Sequence, residues 1–167
     1  MYPSELKQFL DEHKIPFKAY QHPPLDNCSD ADKLAIERSG TRLKNLFLRD
    51  NYGRRHFLLL TAHDAIVDLK ALTQQLAVSR LGFASSERLN KYLGIKPGSV
   101  SLLSLMNDRN KSVELLIDRK VWEQNHLQCH PLVNTETLIL DQIAIKQFLS
   151  FTGHNLSLVD VPLLEKG

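Results

Sequence analysis

Three short clusters carry the side chains that could do chemistry in this chain. The first is Gly40-Thr41-Arg42-Leu43-Lys44-Asn45-Leu46-Phe47-Leu48-Arg49-Asp50, in which Lys44 opens an otherwise apolar strand. A lysine at a strand's rim can hold a phosphate or a ribose hydroxyl as a point charge. It can equally be a charged edge residue that deters strand pairing. The second is Gly94-Ile95-Lys96-Pro97-Gly98-Ser99-Val100-Ser101. A Pro-Gly turn leading into a strand leaves the backbone N–H groups of Gly98, Ser99 and Val100 available as a nest for an oxyanion or carboxylate. An ordinary turn has the same composition. The third is Cys129-His130-Pro131-Leu132-Val133-Asn134-Thr135-Glu136-Thr137. Pro131 holds His130 extended, and Asn134 and Thr135 add neutral hydrogen-bonding groups. A histidine fixed in this way can orient a substrate or move a proton. It can also simply satisfy a loop backbone.

Other chemistries find no support in the spacing. There is no Walker loop, G-x-G-x-x-G, H-E-x-x-H, C-x-x-C or G-x-S-x-G. Cys129 adjoins His130, but neighbouring side chains on an extended backbone point to opposite faces, which argues against a thiol–imidazole pair. His22, Cys28, Cys129 and His130 lack the short paired spacings of a zinc site. Neither metal nor cofactor is expected.

The elements that must position these clusters follow from periodicity. Leu6, Phe9 and Leu10 define one face of a first helix capped by Ser4 and stopped at Ile15-Pro16. Phe17–Tyr20 reads as a short strand, and His22-Pro23-Pro24 as an extended loop. A helix is expected over about Asp30–Arg38, broken by Gly40. Leu43–Arg49 and Phe57–Thr61 read as strands joined by Asp50-Asn51-Tyr52-Gly53, a hairpin loop. Asp68 caps a helix bearing Leu69, Leu72 and Leu76. Ser85 or Ser86 caps another that ends at Leu93-Gly94. Val100–Leu105 and Val113–Ile117 are strand candidates, followed by short strands near His126–Gln128 and Thr137–Leu140. Asp141 caps a last helix with Ile145, Phe148 and Leu149 inward, and Asn155–Val159 is a final strand. This interleaving predicts an α/β fold, a mixed sheet with helices packed around it. With no repeat or low-complexity linker, residues 1–167 are expected to form one domain.

Length and composition fit that expectation. The chain has 167 residues, 43% hydrophobic and 24% charged, ordinary values for a globular domain. Two cysteines argue against a disulfide scaffold and suit a reducing cytosol. The N-terminal stretch has no apolar region of signal-peptide type, and no apolar run is long enough to span a membrane. A cytoplasmic location is therefore expected. The net charge of +2 excludes a histone-like coat but hides an asymmetry. Residues 1–37 carry net −3 and residues 38–56 net +5, while the remainder is neutral. Arg42, Arg49, Arg54 and Arg55 thus form a basic stretch around Lys44 along the sequence, which favours a polyanion such as an RNA backbone.

In this order the clusters resemble the YbaK/prolyl-tRNA synthetase editing-domain superfamily. The resemblance rests on Lys44–Asp50, Ser79–Ser85, Lys96–Val100 and His130–Thr135, and spans nearly the whole chain. The Lys44–Asp50 and His130–Thr135 stretches are most similar to the freestanding prolyl-tRNA editing proteins. The resemblance implies a curved mixed sheet with flanking helices. It also implies that Lys44 is the active-site lysine near the terminal adenosine, and that Gly98, Ser99 and Val100 form the loop contacting the aminoacyl group. It makes His130 the histidine that shapes the amino-acid pocket, with Asn134 supporting that loop. It departs from the family at Ser101-Leu102-Leu103, where proline and phenylalanine often follow the loop serine, and at Arg42, where many members carry histidine.

The implied function is trans-editing: hydrolysis of mischarged aminoacyl-tRNA, alanine on tRNA for proline above all. An aminoacyl ester is already reactive, so positioned water and oxyanion stabilisation suffice without a covalent nucleophile. The expected partner is the acceptor end of tRNA, with a transient association with prolyl-tRNA synthetase also admitted, and the expected state is a monomer. Two alternatives stay open on the residues alone. One is a nucleic-acid-binding regulator without catalysis, although no DNA-reading motif is present. The other is a non-catalytic binding module built on the same fold.

Overall fold

The computed structural model describes residues 2–23 and 41–164, so the helix expected over Asp30–Arg38, together with Cys28 and Gly40, lies outside the described residues. The chain opens with helix α1 (Pro3–Glu12), whose Leu6 and Leu10 are fully buried. Its N-cap is Tyr2 rather than Ser4. Proline at the first helical position lacks only an N–H that would be unpaired there anyway, and its φ is already helical, so the helix starts earlier than a serine cap implies.

Strand β1 (Lys18–Gln21) follows. After residue 41 come β2 (Leu43–Arg49) and β3 (His56–Ala62), then α2 (Leu69–Gln75), capped as expected by the Asp68 carboxylate. A two-residue strand β4 (Gly82–Phe83) precedes α3 (Ser86–Leu93), which has Ser85 as its cap and Gly94 at φ 63° as its left-handed end. The remaining elements are β5 (Val113–Asp118), the short helix α4 (Arg119–Trp122), β6 (His126–Cys129), β7 (Glu136–Asp141), α5 (Gln142–Thr152) and β8 (Leu156–Val159). The sequence reading did not anticipate β4 and α4, each too short to show a period.

The apolar run Val100–Leu105 is not a strand. Leu102–Asn107 forms a 3-10 helix instead. Ser101 Oγ accepts from Leu103 N at 3.1 Å, and Ser104 Oγ donates to Ser101 O. Such local bonds offer the backbone an alternative to a ladder. A short unbroken apolar run carries no period that separates strand from helix.

The strands form two sheets rather than one. β4-β2-β3-β5-β8 is a five-stranded mixed sheet, antiparallel through β3 and parallel beyond it, and β1-β7-β6 is a three-stranded antiparallel sheet. The larger core lies on one side of both, joining Phe47, Leu58, Leu60, Leu115 and Ile117 to Leu127, Leu138 and Leu140, with α1, α3 and α5 closing it. A smaller core of Leu48, Phe57, Leu59, Leu72, Leu81 and Leu116 lies on the other side of the five-stranded sheet. Strand alternation produces this division, since odd and even positions of one strand face opposite sides.

The β2–β3 turn is pinned by a buried histidine. His56 is 1% exposed, stacks on Phe47 and lies 4.1 Å from the Tyr92 ring. Its Nε2 is 3.1 Å from an Arg88 guanidinium nitrogen. A guanidinium can only donate, so Nε2 carries a lone pair and the ring is neutral. Gly53, at φ 65°, lets the turn close over Arg88, because a Cβ there would come within 2.7 Å of the guanidinium. Burial, and after it the charge of Arg88, pushes the His56 pKa below its ordinary value, with Asp50 opposing. An unfolded chain takes up this proton as pH falls below about 6.5 while the folded chain does not, so stability is lost toward acid. The melting temperature should therefore fall between pH 6.5 and 5. His56→Gln, whose amide oxygen still accepts from Arg88, should show a shallower fall in thermal melts. Equal slopes would remove His56 from this account.

Candidate active site

The site is built where the two sheets meet. Thr41 N donates to His126 O at 2.7 Å and Gln128 N donates to Thr41 O at 3.0 Å, forming a parallel bridge between Thr41 and Leu127. This bridge fastens the three-stranded sheet to the chain entering β2, and both sheets pack on the larger core. Alternation from this bridge fixes the faces. Leu127 and Cys129, with Leu43 and Phe47, belong to the core side. Arg42 and Lys44, with Gln128 and His130, therefore take the outer side. Both chains run the same way from the bridge, Lys44 three residues past Thr41 and His130 three past Leu127. Both residues therefore follow the bridge in the same chain direction, Lys44 within β2 and His130 just past the end of β6.

The Pro-Gly loop is drawn to this place by one bond. Ser101 Oγ donates to His130 O at 2.5 Å, joining the Gly98–Ser101 segment to the His130-Pro131 segment. Gly98 sits at φ 89°, the left-handed backbone its turn requires. Ser99 N is spent on the turn, donating to Lys96 O at 3.1 Å. Of the three N–H groups expected to form a nest, those of Gly98 and Val100 are left without a protein partner among the described residues. Two such donors match the requirement for holding an oxyanion. His130 Nδ1 donates to Glu136 O at 3.1 Å, since a carbonyl oxygen can only accept, and this bond fixes the orientation of the ring. Asn134 is half-buried in the same loop.

Lys44 is half-buried, and its ammonium donates to Ala65 O at 2.5 Å. An ammonium has three N–H groups, and the other two have no partner among the described residues. Arg42 lies two residues away on the same face. The other expected basic residues lie elsewhere. Lys44 pairs with Thr61 at the open end of the hairpin, whereas Arg49 pairs with His56 at the turn end. Five residues of strand place them about 17 Å apart, and Arg54 and Arg55 lie beyond. Arg55 is paired with Glu114 at 2.8 Å, and that bond raises its pKa. Arg49 donates to Asp50 O at 3.1 Å. Arg54 lies over the Tyr52 ring. The basic stretch that is continuous in sequence is therefore divided in space.

Cys129 faces the core and is 2% exposed, and burial pushes its thiol up to about 12. A protonated, enclosed thiol is no nucleophile. The sequence reading missed two contributors. His22 is buried beside His130, with ring centroids 6.4 Å apart. Glu136 is held by Lys7 of α1 at 3.0 Å. The His22-Pro23-Pro24 run was a visible signal, but nothing local ties it to a partner more than a hundred residues away. A cavity of about 590 Å³ between the two sheets is lined by Lys18, Thr41, His126 and Asp141 among others. Lys44, Gly98, Val100, His130 and Asn134 do not line it, and Asp141 is engaged there in capping α5 through Ala144 N at 2.8 Å.

A sequence profile of the aminoacyl-tRNA editing domain matches residues 22–148. The chain belongs to this family, and it is an aminoacyl-tRNA deacylase by class. Among curated relatives, the prolyl-tRNA editing protein ProX of Acetoanaerobium sticklandii is 32% identical over 152 residues, covering 91% of this chain and 93% of that protein. Prolyl-tRNA synthetase associated domain-containing protein 1 of Danio rerio is 31% identical over 152 residues, covering 90% and 82%. A solved structure described as a trans-editing enzyme for prolyl tRNA synthetase has a TM-score of 0.67 at 16% identity, covering 99% of each chain. That likeness extends the agreement to the fold. No helix among the described residues is long and apolar enough to cross a membrane.

Cys129→Ala should leave the deacylation rate unchanged while lowering stability by about 1 kcal/mol, the size expected for a small buried void. Deacylation assays and thermal melts on one preparation check both halves.

Proposed function

We propose that this protein hydrolyses mischarged tRNA for proline in trans, with alanine as the amino acid removed. The observation that carries this reading is the bond from Ser101 Oγ to His130 O, which ties the loop bearing the Gly98 and Val100 N–H groups to the His130 segment, beside the bridge that fastens that segment's strand to the chain leading to Lys44. The names of the ProX and synthetase-associated relatives support tRNA for proline as the carrier.

Each group has a role that its geometry supports. The two unpartnered N–H directions of Lys44 hold the terminal adenosine end and balance charge developing on the ester. The Gly98 and Val100 N–H groups hold the carbonyl oxygen as it becomes an oxyanion. With Nδ1 held by Glu136 O, the His130 imidazole has a fixed orientation and shapes the pocket that positions the amino acid. Water is the attacking group. A neighbouring ribose hydroxyl of the substrate aligns it, and the ester breaks to free alanine and tRNA. Asn134 supports the loop. Arg42 contacts the CCA end beside Lys44. Arg49, Arg54 and Arg55 lie at least about 17 Å away, some five base-pair rises, where they meet the backbone of the acceptor stem rather than its tip.

Selectivity is a matter of size. One methylene contributes only about 1–3 kcal/mol of affinity, so a pocket discriminates best by excluding a larger group. Leu102 and Leu103, buried behind Ser101, replace the proline and phenylalanine that often follow the loop serine in this family and fix how closely the loop approaches.

Lys44→Ala should lower kcat/KM for alanine release by about 100-fold or more, the range for losing one group that stabilises an oxyanion. Full activity in that variant would strip Lys44 of its role. Wild-type protein should free alanine from tRNA for proline much faster than it frees proline. Equal rates would sink the size sieve, and binding of tRNA without any ester cleavage would favour a non-catalytic module.

A further inference from the structure

His22 and Thr137 form a clamp that the comparisons do not assign and that the mechanism above does not use. His22 leaves the end of β1 and extends its ladder by one bond, donating N–H to Thr135 O at 3.0 Å. Its ring is buried. Nδ1 lies 2.9 Å from Pro23 O, and a carbonyl oxygen can only accept, so Nδ1 carries the proton. Nε2 lies 2.8 Å from the hydroxyl of Thr137, a residue that is itself 2% exposed. The ring stands edge-on to that of His130, at 6.4 Å and 68°.

Three consecutive residues therefore serve the two histidines in turn. Thr135 O receives His22 N, Glu136 O receives His130 Nδ1, and the Thr137 hydroxyl reaches His22 Nε2. The β6–β7 loop that carries His130 and Asn134 is thus closed at its far end by His22, while Ser101 holds it at its near end through His130 O. We infer that His22, acting through Thr137, is a positioning residue that fixes the His130 imidazole and its loop for the editing reaction. This inference rests on the role given to His130 above. A misplacement of about 1 Å at a reacting centre can cost about 100-fold in rate, so a clamp one residue removed from the substrate acts on kcat rather than on binding.

The test uses His22→Ala, Thr137→Val and Thr137→Ser in the full chain, with alanyl-tRNA for proline as substrate. Thr137→Val keeps the shape and removes only the hydroxyl, so it serves even where His22→Ala does not fold. Both disruptive variants should lose at least tenfold in kcat with KM within twofold, and Thr137→Ser should restore the rate. The double variant should be no worse than the poorer single one, because both remove the same bond. The His130 imidazole resonances in nitrogen-edited NMR should move in Thr137→Val and return in Thr137→Ser. Wild-type kcat in Thr137→Val, or unmoved His130 resonances with activity lost only in proportion to the unfolded fraction, would overturn the inference. Wild-type protein inactive on every mischarged tRNA would instead overturn the editing role, while the His130 resonances would still report on the clamp.

Discussion

The structure depends on two hydrogen bonds at Thr41. They fasten β6 to the chain entering β2 and so tie the two sheets to each other around the larger core. Everything about the site follows from that join. It sets which side is core, because Leu127 and Leu43 must face the same interior. By alternation it sets which side is outer, and it links the segments that carry Lys44 and His130 although 86 positions separate those residues in sequence. An inward rotation of either chain by one residue would bury an ammonium in the leucine core, at a cost in desolvation far above the worth of any single bond. The apolar pattern therefore holds the polar one in place.

The outer face is organised by backbone acceptors rather than by charge pairs. Ala65 O receives Lys44, Glu136 O receives His130, and His130 O receives Ser101. Carbonyl partners orient a side chain without neutralising it. Lys44 is aimed by Ala65 O and the His130 ring by Glu136 O, neither of which carries a charge. Such pre-set donors and acceptors need little reorganisation when charge develops, which is how a site without a nucleophile can still lower a barrier. Cys129, the one thiol among the described residues, is enclosed in the core, and burial raises its pKa to about 12.

Charge is distributed along the molecule by strand geometry. A β-hairpin separates residues that are close in sequence, because each extended residue carries the chain about 3.4 Å onward. Arg42, Arg49, Arg54 and Arg55 consequently do not form one patch around Lys44. Arg42 stays with the lysine, while Arg49, Arg54 and Arg55 stand at the hairpin's turn, where Asp50 and Glu114 already engage part of them. An extended polyanion can bridge both ends, and a small metabolite cannot.

Several features were legible in the residues themselves, because local physics decides them. The caps at Asp68, Ser85 and Asp141 are short-range bonds between a side chain and the next turn. The strands at Leu43–Arg49 and Val113–Asp118 announce themselves by apolar content between turn residues. The motif blocks around Lys44, Gly98 and His130 were visible because residue type and order are all that a family resemblance needs. Other features depended on contacts distant in sequence. The run after Val100 became a 3-10 helix because Ser101 and Ser104 bond locally and Ser101 is claimed by His130. The loss of Ser99 N from the nest, the clamp formed by His22 and the separation of the arginines from Lys44 are likewise consequences of register and long-range pairing. The sequence alone determined which groups are available for chemistry, since composition and short-range bonding suffice for that. Only the tertiary structure decided which of them meet, because a single parallel bridge between distant segments sets their common face.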